Sequence, residues 1–112
     1  MEFQFDHIAM VVPDIADAVR WYKTTFPATE ELYVDVSWAF LLVNGARIAL
    51  VLRDEHPGHV AWRVSEVKLN ELAELHGKSV SLHRDGTKSF YLEAPGNNSI
   101  EIITFDNSDW EM

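Results

Sequence analysis

Three side chains of kinds that bind metal ions occur at related positions in the sequence. A segment that begins at His7 lies 52 positions before a similar segment that begins at His59, and the same offset places Ala49 over Glu101. If the two halves pair around a pseudo-twofold axis, two imidazoles and one carboxylate meet, with a small residue in the fourth place. Such a set leaves coordination positions open, as a catalytic metal site requires. The sequence therefore predicts a divalent-metal site and does not distinguish Fe, Mn, Ni, Co and Zn.

Each of these residues also has an ordinary structural interpretation. A histidine at the start of a strand is usually a turn or capping residue, and a glutamate between Ile100 and Ile102 fits a solvent-facing position of an alternating strand. One repeat offset relates all three, and this coincidence favours the interpretation as metal ligands.

Two further residues are candidates for work on a substrate. His83 lies on a short predicted strand, and an imidazole exchanges protons near neutral pH, so we predict acid–base catalysis by His83. Tyr91 lies on the next predicted strand and could donate a hydrogen bond to a substrate. The alternatives are a surface histidine beside charged neighbours and a tyrosine that is simply packed.

Four more residues are assigned to substrate binding by the alternation of strand faces. Arg63 falls on the face of His59, and Arg47 falls on the face of Ala49, which favours a small anionic ligand. The alternative is that both arginines reach the rim and pair with acids there. Trp38 and Phe40 share a face that lines either the pocket or the core.

The predicted strands and helices that must position these residues follow the same order in each half of the chain. Strands are predicted over residues 3–12, 30–35, 37–43, 47–53, 59–64, 80–84, 89–92 and 99–105, and helices over 15–26 and 66–76. Asn44-Gly45 predicts a hairpin, Pro27 and Gly77 end the helices, and residues 54–58 form the linker. Each half therefore reads βαβββ, with one module over about 3–53 and the other over about 59–105. The same offset also places Trp38-Ala39-Phe40 over Phe90-Tyr91-Leu92.

The composition of the chain limits the kinds of site and partner that it can have. The chain has 112 residues, which fits one domain, and it has no cysteine, which excludes disulfides and thiolate sites. A formal charge of −9 disfavours nucleic acid and anionic membranes as partners. No apolar run is long enough to cross a bilayer, and the acidic start is unlike a targeting peptide, so we expect a cytoplasmic protein.

The segments that begin at His7 and His59, the strand that carries Glu101 and the segment Ser89-Phe90-Tyr91-Leu92 resemble those of the vicinal oxygen chelate superfamily. This superfamily includes glyoxalase I, extradiol dioxygenases and bleomycin-resistance proteins. The resemblance implies an α+β fold in which two βαβββ modules form a cup-shaped mixed sheet with outer helices around a metal. It also implies His7, His59 and Glu101 as ligands, and Tyr91 as a residue of the substrate pocket. Ala49 departs from the glutamate of the glyoxalase and epimerase branches, and Ala94-Pro95-Gly96-Asn97 departs from the usual turn before the last strand.

Two classes of function follow. The first is a metal-dependent lyase, isomerase or oxygenase that acts on a small oxygen-chelating molecule. The second is a metal-free protein of the bleomycin-resistance kind, which holds a ligand through Trp38, Phe40 and Tyr91. Many members of the family are dimers, so we also expect a homodimer, with Trp110 as a possible contact.

Overall fold

The computed structural model of the chain describes residues 2–54, 56–83 and 85–105. It contains eight strands and two helices in the predicted order. The strands are β1 (Gln4–Val11), β2 (Glu30–Val34), β3 (Trp38–Val43), β4 (Ala46–Val51), β5 (His59–Arg63), β6 (Ser81–Leu82), β7 (Lys88–Ala94) and β8 (Asn98–Thr104), and the helices are α1 (Ile15–Thr25) and α2 (Glu66–Leu75). All predicted bounds agree to within two residues, and β6 is shorter and β7 longer than predicted. Trp110 lies outside the described residues.

The strands form one mixed sheet in the order β2-β3-β4-β1-β5-β8-β7-β6. The pairing of β1 with β4 is parallel, whereas β2–β3, β3–β4, β6–β7 and β7–β8 are antiparallel. This confirms the predicted α+β class. Within the described residues, two compact units are present: one is His7–Val60, and the other joins the segment before His7 to the segment from Ala61 onward. Neither α1 nor α2 is long and apolar enough to cross a membrane.

One backbone hydrogen bond occurs twice at the spacing of the predicted repeat. In the first unit the N–H of Val12 donates to the carbonyl of Val51 at 2.8 Å, and in the second the N–H of Val64 donates to the carbonyl of Ile103 at 2.9 Å. Donor and acceptor are both displaced by the offset found in the sequence. The first and last strands of each module are therefore joined in the same way.

The prediction that the same offset holds for the third strands was wrong. Phe40 pairs with Ala49 on β3 and β4, and the residue that pairs with Glu101 on β7 and β8 is Tyr91, which is one position nearer than the offset predicts. The cause is the length of the hairpin loops. Val43 and Ala46 enclose two residues, whereas Ala94 and Asn98 enclose three. Tyr91 is therefore the counterpart of Phe40, and Leu92 is not.

Helix α1 covers one face of its own unit. Its first residue follows Asp14, whose carboxylate accepts a hydrogen bond from the N–H of Asp17 at 2.9 Å and so caps the helix. The apolar residues at helical spacing pack on β3 and β4. The buried members of this cluster are Ile15, Val19, Ala39, Leu41, Val43 and Leu50. Alternate residues of β3 and β4 therefore point away from the helix.

Helix α2 repeats this arrangement in the other unit. The hydroxyl of Ser65 caps its start by accepting from the N–H of Lys68 at 3.1 Å, and Gly77, with φ of +65°, follows its end. The buried residues around it are Val64, Leu69, Ala73, Phe90 and Ile102. Because Phe90 and Ile102 face α2, their neighbours Tyr91 and Glu101 occupy the opposite face of β7 and β8.

A compact turn built on Asp35 joins β2 to β3. The carboxylate accepts from the hydroxyl of Tyr33, from the N–H and hydroxyl of Ser37, and from the N–H of Trp38. These hydrogen bonds, led by the one from Tyr33, hold the pKa of Asp35 well below its usual range.

We expect Gly45→Ala to lower the free energy of unfolding by about 1 kcal/mol, because the left-handed backbone is costly for residues with a Cβ. Gly45 has φ of +87°, and no atom would contact an added Cβ there, so the cost is conformational. Asn44, with φ of +50°, already tolerates this region, and Asn44→Gly is the control with little expected change. Urea denaturation measures both, and equal effects would contradict the assignment of the strain to Gly45.

We also expect Asp35 to make stability depend on pH in acid. The pKa of Asp35 is lower in the folded chain than in the unfolded chain, where it lies at about 3.9. Asp35 therefore stabilises the folded state above pH values of about 3.9, and this stabilisation is lost as pH falls through the folded pKa. Wild type should therefore exceed Asp35→Asn in stability at pH 6, and the difference should shrink towards pH 2. Tyr33→Phe should weaken this dependence without abolishing it. A difference that stays constant over this range would contradict the prediction.

Candidate functional site

Two histidine side chains meet in the first unit. The Nε2 atoms of His7, on β1, and His59, the first residue of β5, lie 3.3 Å apart, and the ring centroids lie 5.4 Å apart. His59 is buried and His7 is half-buried. The residues that the repeat superimposes are therefore side by side, with the same ring nitrogen of each directed at the other.

The segment before β5 fixes the ring of His59. The Nδ1 atom of His59 lies 3.1 Å from the carbonyl oxygen of Pro57, so Nδ1 carries the proton and donates it. In a neutral ring this tautomer leaves the lone pair on Nε2, on the side of His7. Gly58 allows the close approach of this segment to β1, because a Cβ there would lie only 3.1 Å from the carbonyl oxygen of Ala9.

His56 is a neighbour of this pair that the sequence analysis missed. Its ring centroid lies 5.0 Å from that of His59, and its Nδ1 lies 3.1 Å from the same carbonyl oxygen of Pro57. The sequence showed only a linker at residues 54–58. The one available signal was a histidine three positions before another, which is too common to indicate a site.

Small residues line the sheet beside His7. Ala9 pairs with Ala49, Ala49 pairs with Phe40, and both alanines are buried in a cluster with Val51. These residues lie on the face opposite α1. Small side chains next to the histidine pair leave space that larger residues would fill.

Aromatic side chains continue along this face. Phe40 contacts His7 edge to face, with centroids 5.7 Å apart, and Trp38 follows Phe40 at 6.0 Å. Of the two positions left open for Trp38 and Phe40, the structure selects the face away from the core around α1. Arg47, two residues before Ala49, shares this face, and its role in substrate binding stays a prediction.

Glu101 is buried in the second unit beside Tyr91. The two residues are direct partners on β8 and β7, and only 4% of Glu101 is exposed. Burial raises the pKa of Tyr91 well above its ordinary value, and the charge of Glu101 and its hydrogen bond from the Tyr91 hydroxyl act in the same direction. Tyr91 therefore supports the carboxylate as a hydrogen-bond donor.

Arg63 is held by a buried acid of its own unit. Its guanidinium donates to one carboxylate oxygen of Asp6 through Nε at 3.0 Å and through a terminal nitrogen at 2.7 Å. The same group lies over the ring of Phe105, 3.9 Å from its centroid. The pairing balances the two charges where water is largely excluded. A contact of Arg63 with substrate stays a prediction.

His83 makes a hydrogen bond to a fully buried hydroxyl. Its Nε2 lies 2.7 Å from Oγ of Ser89. Burial of Asp85 acts to raise the pKa of its carboxyl group, but hydrogen bonds from Thr87 and the nearby His83 hold this pKa below its ordinary value. Ser89 lies two residues from Tyr91 and shares its face of β7. The acid–base role of His83 stays a prediction.

Comparisons with known proteins relate the chain to one family and to several solved structures of similar fold. The model of the Glyoxalase/Bleomycin resistance protein/Dioxygenase superfamily matches residues 4–63, which is more than half of the chain. A solved methylmalonyl-CoA epimerase from Mycobacterium tuberculosis is 16% identical, with a TM-score of 0.70 over 96% of this chain and 91% of that one. No curated protein sequence matches.

Two other solved structures have similar folds. One, described as an NAD-dependent benzaldehyde dehydrogenase from Legionella pneumophila, is 15% identical, with a TM-score of 0.65 over 88% of this chain and 97% of that one. The other, a glyoxalase/bleomycin resistance protein/dioxygenase superfamily member from Vibrio splendidus 12B01, is 15% identical, with a TM-score of 0.62 over 90% and 98%. At such identities the likeness shows the fold alone.

The hydrogen bond between His83 and Ser89 predicts an asymmetry between two variants. We expect His83→Ala to lower the free energy of unfolding by about 1–3 kcal/mol, because it leaves the buried Ser89 hydroxyl without this partner. Ser89→Ala should cost less, because the half-buried imidazole can turn to water. Denaturant unfolding of both variants and of the double variant measures the difference. A larger loss in Ser89→Ala would contradict it.

Proposed function

The chain belongs to the glyoxalase/bleomycin resistance protein/dioxygenase superfamily, and on that premise we propose that it is a metalloprotein that acts on a small oxygen-bearing molecule. In this proposal His7, His59 and Glu101 bind one divalent cation. The reaction class is that of a lyase, an isomerase or an oxygenase.

The observation that carries the proposal is the separation of the two Nε2 atoms. Imidazole nitrogens bind first-row divalent metals at about 2.0–2.1 Å, so two such nitrogens in a tetrahedral site lie about 3.3–3.4 Å apart. The two Nε2 atoms of His7 and His59 lie 3.3 Å apart. The separation therefore suits two ligands of one ion without rearrangement of either ring.

The hydrogen bond to Pro57 supports the same interpretation. Metal-binding histidines commonly donate their other ring nitrogen to a carbonyl or carboxylate, which fixes the tautomer and the ring orientation. His59 does this through Nδ1, so that its Nε2 lone pair is presented to a cation. Because a carbonyl of the chain itself orients this ring, less freedom is lost when a metal binds.

Glu101 is the third member of the proposed ligand set. Its place in the set is inferred from the repeat, which superimposes Glu101 on Ala49, and Ala49 lies on the face beside His7. The carboxylate would offset part of the charge of a divalent cation, and its burial makes this interaction stronger than it would be in water. Two nitrogens and one oxygen suit Fe, Mn, Ni, Co or Zn, and this set does not distinguish them.

The chain's own residues would bind and orient the substrate around this centre. A divalent cation bound there supplies Lewis-acid stabilisation to oxygen atoms that develop negative charge. Ala49 carries no ligand and no base, so the place beside it is left to the substrate. The hydroxyl of Tyr91 already donates to Glu101 and orients that carboxylate. Proton transfer is proposed for His83, which follows β6 and contacts Ser89 on β7.

The second candidate function is a metal-free binding protein that holds its ligand on aromatic side chains. It is favoured by the position of Trp38 and Phe40, whose rings lie on the same face as His7. Metal binding separates the two candidates. A homodimer and a cytoplasmic location are further expectations of the proposal, which the oligomeric mass in solution and localisation of the tagged chain would test.

We expect tag-free protein, stripped of metal, to bind one Co(II) ion per chain, with visible d–d absorption that reports the ligand geometry. His7→Ala, His59→Ala and Glu101→Gln should each weaken binding by at least about tenfold, because changes of residues outside the coordination sphere alone cost about 10- to 100-fold. Equilibrium dialysis and absorption spectra measure both effects.

His76→Ala is the matched control, because His76 is an exposed histidine at the end of α2. It should bind Co(II) as wild type does. If wild type binds no stoichiometric Co(II), or if the three ligand variants bind it as tightly as His76→Ala does, the metalloprotein proposal is wrong and the metal-free binding protein replaces it.

A further inference from the structure

A row of aromatic rings leads away from His7 on the face opposite α1. We call Phe40, Trp38 and Tyr33 the aromatic row. The ring centroids of His7 and Phe40 lie 5.7 Å apart, those of Phe40 and Trp38 lie 6.0 Å apart, and those of Trp38 and Tyr33 lie 4.8 Å apart in a stacked arrangement. The row starts on β3, next to the proposed metal ligand, and ends on β2.

The outer part of the row is accessible. Trp38 is 38% exposed and Tyr33 is 45% exposed, whereas Phe40 is half-buried beside Ala49. Large aromatic surfaces that remain in water carry a cost that a ligand's ring would remove. The row therefore runs from a partly enclosed end at His7 to an open end at Tyr33.

The two outer rings are held in place by a residue of the chain itself. Asp35 accepts from the hydroxyl of Tyr33 and, at 3.0 Å, from the N–H of Trp38, so that a single carboxylate fixes one ring and the backbone of the other. A surface that is already ordered loses less entropy when it binds a ligand. This arrangement is typical of a binding platform.

Charged residues near the two ends of the aromatic row favour one orientation of an anionic ligand. Its outer end carries the carboxylate of Asp35, which repels an anionic group. Arg47, a cation, pairs with Leu42 on β4 and β3, and lies on the same face as Ala49 and Phe40. An anionic ligand would therefore place its charged group towards the inner end and its uncharged part along the rings.

The same charges disfavour a second copy of the chain on this surface. Glu30 begins the edge strand β2, and Asp35 follows it, within a chain of formal charge −9. Acidic residues on an edge strand oppose pairing with an identical strand. A small ligand meets no such repulsion along the rings.

We propose that the aromatic row binds a planar aromatic ring of the substrate, whose neighbouring oxygens lie at the inner end beside His7. This inference rests on the proposed function and adds the substrate class: an anionic oxygen chelator that carries an aromatic ring. Tyr33 and Trp38 are then specificity-determining residues.

Three 2-hydroxy acids with the same carboxylate and hydroxyl groups test the inference: mandelate, hexahydromandelate and lactate, which carry a phenyl, a cyclohexyl and a methyl group. Calorimetry on Co(II)-loaded protein should show that mandelate binds about two- to tenfold more tightly than hexahydromandelate, because a stacked aromatic pair adds that much beyond burial of area. Lactate should bind most weakly.

Trp38→Ala should bind mandelate and hexahydromandelate equally, because the stacked ring pair is lost. Trp38→Phe keeps a ring and should retain most of the preference. Trp21→Ala is the matched control, because Trp21 is 56% exposed on α1, and it should retain the whole preference.

Normal Co(II) binding without a preference for mandelate, or a preference that survives in Trp38→Ala, overturns this inference alone. Absence of Co(II) binding in wild type overturns the proposed function and this inference with it. Sedimentation gives the remaining outcome: if Trp38→Ala changes a dimer into a monomer, the row is an interface between copies and the inference is wrong.

Discussion

Two imidazole nitrogens that face each other across 3.3 Å share a single proton or a single cation, because two protons would repel and two lone pairs alone would not attract. The rest of the site depends on this constraint. The carbonyl of Pro57 occupies the other nitrogen of His59, so the lone pair is directed towards His7. Gly58 provides the space for this approach. The local backbone thus decides which atom of His59 is available to a ligand.

The face that carries this pair is built unlike the face under the helix. Below α1, Leu41 and Leu50 fill the core, as dense packing requires. On the other side, Ala9 and Ala49 stand beside His7 and give way to aromatic rings further along the strands. Strand alternation assigns one set of side chains to stability and the other to a surface that can bind a ligand.

Buried charge in the second unit is compensated in two different ways. Arg63 and Asp6 neutralise each other through two hydrogen bonds, a closed arrangement that suits a structural ion pair. Glu101 receives a hydrogen bond from Tyr91, its direct partner across β7 and β8. The two oxygens of a carboxylate offer about four lone-pair sites, and this capacity suits the role proposed for Glu101.

Local signals determined much of the fold. Asp14 and Ser65 start the helices, Asn44-Gly45 makes the two-residue turn, and the offset from His7 to His59 identified the repeat, because each depends on residues close in sequence or on simple periodicity. Tertiary structure decided the rest. The three-residue loop before Asn98 shifted β7 by one residue, which changes the partner of Glu101 without altering the alternation that the sequence displays. The hydrogen bonds of Arg63 with Asp6 and the ring contact of His56 with His59 depend on how separate segments pack, and no spacing in the sequence encodes them.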